Sequence, residues 1–161
     1  MMRWTVSLFV ALLVLPFAGA ASAQTPAAGL ASMSFFNGAW TCKRLSSPDK
    51  SEVGTTFAFR GSLEEGGYWG LLAFGDGQLN VTYDPILKRF AFLYLGNTGE
   101  YGMFTSPGWK NGVLRLNEAV TSDRERLGAA TFTRRSPSVF TSSYAVPTPK
   151  GVVIYSNICA K

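Results

Sequence analysis

Histidine is missing from all 161 residues, and that absence limits the chemistry open to this chain. A Ser-His-Asp triad, a Cys-His pair and a His-ligated zinc or haem site all need an imidazole. General acid–base work therefore falls to Asp, Glu, Tyr or Lys. The carboxylates cluster twice, at Glu64-Glu65 and at Asp123–Glu125. A carboxylate pair held at a suitable separation can hydrolyse glycosides. Both clusters, however, fall in predicted loops, beside Gly66 or among Arg124 and Arg126, where solvated charge is the ordinary state of Asp and Glu. They also lack the oxygen-rich spacing of an EF-hand. The sequence calls for no metal, no cofactor and no catalytic residue.

A second group of residues suits binding. Tyr83, Tyr94, Asn97, Tyr101 and Trp109 lie close to predicted strand ends, with Phe92, Met103 and Phe104 among them. Pockets in barrels are apolar with a few placed polar groups, often at the mouth. Tyr83, Phe92, Tyr94, Asn97, Tyr101, Met103 and Trp109 are therefore candidate contacts for a small apolar or amphipathic ligand. Core packing, with Tyr and Trp tips reaching solvent, is the alternative for each. The two cysteines, Cys42 and Cys159, have no CxxC spacing and no His partner. They read as a disulfide joining the first strand to the last.

The elements that must carry these residues are strands. Thr55, Phe57 and Phe59 alternate with Thr56, Ala58 and Arg60; Leu79, Val81 and Tyr83 alternate with Asn80, Thr82 and Asp84. Phe90, Phe92 and Tyr94 share a face, and Val152, Ile154, Ser156 and Ile158 alternate with Val153, Tyr155, Asn157 and Cys159. This period of two, in β-branched and aromatic residues, predicts strands near 39–46, 53–63, 67–74, 78–84, 88–95, 99–105, 112–118, 126–135, 138–146 and 151–160. Turn signals such as Gly75-Asp76-Gly77, Asp84-Pro85, Gly96-Asn97, Pro107-Gly108 and Asn111-Gly112 separate them. Sequential strands with short connections form an antiparallel meander. The expected fold is all-β, an up-and-down barrel of about 8–10 strands that removes its exposed edges by closing. A two-sheet sandwich is the runner-up. Leu30, Met33 and Phe36 fall on one side of a short helix able to plug one barrel end, and Trp40 is large enough to close the bottom.

Residues 1–23 read as an export signal. Arg3 supplies the leading charge, an apolar run spans Val6 to Phe17, and Ala21-Ser22-Ala23 fits the small-x-small rule, with Ala20 as an alternative last residue. That run is shorter than the ~20 residues a spanning helix needs. The expected division is signal 1–23, leader and short helix 24–34, and barrel domain 35–161, working in the periplasm or secreted. The formal net charge is +5, but the basic residues are scattered in short pairs such as Lys43-Arg44 and Arg134-Arg135. Nucleic-acid binders concentrate charge on one face, so no nucleic-acid partner is expected.

Two stretches carry a resemblance. Gly38-Ala39-Trp40 resembles the Gly-x-Trp that begins lipocalin-like (calycin) barrels; where the lipocalin pattern has an Arg covering that Trp, this chain has Lys161. The ordered series Tyr83-Asp84-Pro85, Lys88-Arg89-Phe90, Gly96-Asn97-Thr98-Gly99-Glu100-Tyr101-Gly102 and Thr105-Ser106-Pro107-Gly108-Trp109 looks like bacterial proteins of the domain of unknown function 1579 family. It covers roughly residues 35–160. The resemblance implies a lipocalin-like barrel and no established activity. Three functions stay open: a binding module, a protein-interaction or inhibitor domain acting through its loops, and an enzyme using Tyr or carboxylate chemistry.

Overall fold

The computed structural model describes residues 25–63, 67–121 and 128–161. The export-signal segment and the two acidic clusters lie outside the described residues. Eleven strands follow in order: β1 (Gly38–Ser46), β2 (Thr56–Leu63), β3 (Gly70–Phe74), β4 (Gly77–Asp84), β5 (Arg89–Gly96), β6 (Tyr101–Ser106), β7 (Trp109–Lys110), β8 (Val113–Thr121), β9 (Ala130–Ser136), β10 (Val139–Thr148) and β11 (Gly151–Ala160). Period-two sequence becomes a two-faced strand: Gly77, Leu79, Val81 and Tyr83 of β4 are buried, and the residues between them are half-buried.

The strands pair antiparallel with their sequence neighbours, and β1 pairs with β11. Pairing of β6 with β8 closes the ring, giving a ten-stranded barrel and excluding the sandwich. The two-residue β7 pairs with β8 outside the ring; so short a strand has no periodicity to read.

Eight strands enclose a space that side chains just fill, and a wider barrel leaves room. At one end the N-terminal segment takes up that room. Helix α1 (Pro26–Leu30) is capped by Thr25, whose Oγ1 accepts from the Ala28 N–H, and has Pro at its first turn. It runs on as a 3₁₀ turn over Ala31–Phe36. Five residues cannot hold a helix alone; burial does. Leu30, Met33 and Phe36 are all fully buried, each contributing about 1.5–3 kcal/mol of apolar burial. Gly61 on β2 permits the contact: a Cβ there would sit 2.3 Å from the Phe36 carbonyl oxygen.

Trp40 completes this closed end. Its Nε1 donates to the Phe36 carbonyl at 2.8 Å, its ring meets Phe140 edge-on at 4.9 Å, and Lys161 Nζ lies 4.4 Å from the ring centroid. Lysine thus places a cation on the face of the indole. Gly38, at φ 99°, makes the turn from plug into strand without steric cost. Cys42 and Cys159 face each other across β1 and β11 and form a disulfide.

Candidate functional site

The plug fills one half of the barrel and leaves a cavity of about 150 Å³ in the other. Its walls follow from strand alternation. Phe59, Phe74, Leu79, Phe104, Leu116, Phe132 and Phe140 are inward residues of seven different strands, and together they make an apolar bowl. The Cys42–Cys159 disulfide forms part of the lining. Phe74 and Tyr94 stack with planes 3° apart, and Tyr144 and Tyr155 stack 4.6 Å apart at 5°.

One arc of this cavity is polar. Two residues beyond Cys42 on β1 stands Arg44; two residues before Cys159 on β11 stands Asn157, and the pair are direct cross-strand partners. Asn157 in turn faces Ser142 on β10, and Tyr144 follows two residues on. Asn157 is 5% exposed; its Nδ2 donates to Ser142 Oγ at 3.0 Å, while its Oδ1 is buried with no partner among the described residues. The Arg44 guanidinium lies 5.3 Å from the Phe57 centroid and 5.5 Å from that of Tyr155. Its Nη1 donates to Tyr144 Oη at 3.4 Å, a long bond, and its Nε is buried without a partner among the described residues. Buried polar atoms are almost always satisfied; two of the four exceptions among the described residues sit on adjacent inward positions in this arc, and the other two, Trp109 Nε1 and Arg134 Nε, belong to the closed end.

Across the cavity, burial together with the nearby charges of Asp76 and Glu100 pushes the Tyr94 phenol up to about 12. Burial also raises Tyr144, against the lowering effect of Arg44. Both phenols are therefore neutral at physiological pH and act as hydrogen-bonding groups. A general base would need a pKa near the working pH. Asp76 is exposed on the β3–β4 turn at the rim. Among the described residues no three His, Cys, Asp or Glu side chains gather as a metal site.

The structure separates the residues that the sequence put forward as ligand contacts. Tyr94 lines the cavity, as does Phe104. Phe92 is 1% exposed and packs against Phe90 in the interior, outside the cavity lining. Tyr83 packs against Gly29 and Phe90 beside the plug. Trp109 belongs to the closed end, 5.6 Å from Phe35 and covered by Arg134 at 3.8 Å. Asn97 is at an exposed hairpin tip, where its Nδ2 donates to the Gly75 carbonyl. Tyr101 and Met103 point outward, 47% and 44% exposed, because they alternate with the buried Gly102 and Phe104. Arg44, Tyr144 and Asn157 were not singled out by sequence. The signal that locates them is the cysteine pair: if Cys42 and Cys159 are antiparallel partners facing inward, the residues two positions away must face inward beside each other.

No protein-family model matches the chain, and a search of curated proteins finds none similar to it.

Proposed function

We propose that this protein is a binding module that holds a small amphipathic molecule inside the open half of its barrel. The observation that carries the reading is Asn157 Oδ1, buried without a partner among the described residues, on the polar arc of a cavity whose other walls are apolar. A cavity formed only to satisfy packing would be lined by apolar groups, since an unsatisfied buried polar atom costs about 1–3 kcal/mol. At about 150 Å³ the space is below the ~300–1,000 Å³ of drug-sized pockets. It matches the volume at which an apolar cavity takes up benzene. The occupant is therefore the size of one aromatic ring or a short branched chain. Titrating the oxidised protein with benzyl alcohol, followed by amide and methyl NMR, tests this. Shifts should concentrate on Phe104, Phe132, Ser142 and Asn157, and Ala130→Phe, which fills the cavity, should abolish them. If neither protein shows saturable shifts there, the binding reading fails.

The location that fits this reading is outside the cytoplasm. A disulfide persists in an oxidising compartment, and among the described residues no helix is long and apolar enough to cross a membrane. Export with cleavage after Ala23 gives a mature chain beginning at Gln24, and intact-mass measurement of the exported protein checks it. Membership of the domain of unknown function 1579 family is proposed on the motifs above; the barrel fold that the resemblance implies is consistent with it.

A second reading rests on a different surface. Tyr68, Trp69, Ile86 and Leu87 are all exposed on the β2–β3 and β4–β5 connections, which lie at the plugged end of the barrel. Exposed aromatic and aliphatic side chains on loops suit a protein partner. A photo-crosslinking residue in place of Trp69, tested in the expressing cell, should give one discrete adduct if this end docks a protein, and none if it does not.

A further inference from the structure

The deeper of the two charged groups lining the cavity is a cation, and among the described residues it is not paired with an anion. Arg44 is an inward residue of β1, half-buried, with its guanidinium against the faces of Phe57 and Tyr155. Among the described residues its polar contacts amount to one long bond to Tyr144 Oη, and its Nε has no partner. Aromatic faces hold a guanidinium in place without neutralising it. A planar fork with free donors matches a carboxylate. Of the neighbouring groups, Ser142 and the neutral Tyr144 phenol can both donate to an anion; Asn157 Oδ1 can only accept, so the carboxylate must sit on the Arg44, Ser142 and Tyr144 side of the arc. Asp76, the acidic residue of the lining, is exposed on a turn at the rim. Below Arg44 the bowl is aromatic and one ring in size.

We infer that the ligand is a small aromatic carboxylate, its ring in the Phe59–Phe104–Phe132–Phe140 bowl and its carboxylate on Arg44. This rests on the binding reading and assigns the charge and orientation that it left open. Benzoate, benzyl alcohol and benzylamine share the ring and differ in the charge of the head, so they separate the two claims. By calorimetric or NMR titration of the intact, oxidised protein at low salt, benzoate should bind at least about tenfold more tightly than either of the other two. Its affinity alone should fall as salt screens the pairing. Arg44→Met should collapse the benzoate-to-alcohol ratio to about one, and Arg44→Lys should restore part of it, because the charge returns without the planar fork.

If benzyl alcohol or benzylamine binds as well as benzoate, or if the preference survives Arg44→Met, the assignment of charge is wrong and the binding module stands. If none of the three binds, the binding reading itself falls. Should Arg44→Met fail to fold, the salt dependence measured on the unaltered protein decides between the same outcomes.

Discussion

Replacing Asn157 by Leu should make this protein more stable and a worse binder. The side chain is 5% exposed. Removing its unpartnered Oδ1 relieves a desolvation cost of about 1–3 kcal/mol. Losing the Nδ2 bond to Ser142 costs about 1 kcal/mol, and the freed hydroxyl can rotate toward the cavity. Leu is larger than Asn, but the added atoms grow into open space, so the usual penalty of overpacking does not arise. The net gain is up to about 2 kcal/mol, or up to roughly 6 °C in Tm for a domain of this size. Urea unfolding followed by tryptophan fluorescence measures it: the midpoint should rise, by up to about 1 M, with the slope unchanged. Affinity for benzyl alcohol, whose hydroxyl can donate to Oδ1, should drop in the same variant, the trade between stability and function expected of a site residue. A lower midpoint at constant slope would refute the reasoning, because Asn157 Oδ1 would then be a satisfied structural acceptor.

Three further outcomes follow from the geometry. Converting both cysteines to alanine should cost about 4–5 kcal/mol on the chain-entropy account for a bridge spanning 117 positions, read as a fall in unfolding midpoint; a loss under 1 kcal/mol would show that β1 and β11 hold the closure unaided. Gly61→Ala should lower stability by at least about 2 kcal/mol, since its Cβ meets a backbone oxygen of the plug that cannot turn aside; a neutral result by thermal melting would mean that the plug is not seated on β2. Tyr94 is raised to about 12 by burial, so its folded value lies above its unfolded one. Its contribution is fully present below about pH 10, the unfolded phenol value, and is lost as pH rises toward 12. Tyr94→Phe should remove one late-titrating phenol from the ultraviolet titration and flatten the stability profile over that interval.

The strands were legible in the sequence because a half-buried strand writes its burial as period two, and Gly, Pro, Asn and Asp mark the reversals between strands. Leu30, Met33 and Phe36 announced a plug by their helical spacing, and the cysteine pair announced the closure of β1 on β11. The candidate site was far less legible. Met103 and Phe104 are chain neighbours, and a strand must send them to opposite faces; which one enters the barrel depends on the register with β5 and on the irregularity opposite β8. Tyr83, Tyr94 and Trp109 looked alike as amphipathic residues near strand ends, yet strands run both ways, so one set of ends meets the plug and the other meets the cavity.

By itself, the sequence determined the fold class, the turns, the plug and the absence of imidazole chemistry, because each rests on local pattern or composition. Only the tertiary structure decided what the cavity is. Arg44, Ser142, Tyr144 and Asn157 come from three strands at the two ends of the chain, and their meeting is a property of barrel closure. No single segment shows that the Asn157 oxygen and the Arg44 cation lack partners among the described residues; both become visible only when the neighbouring strands are in place.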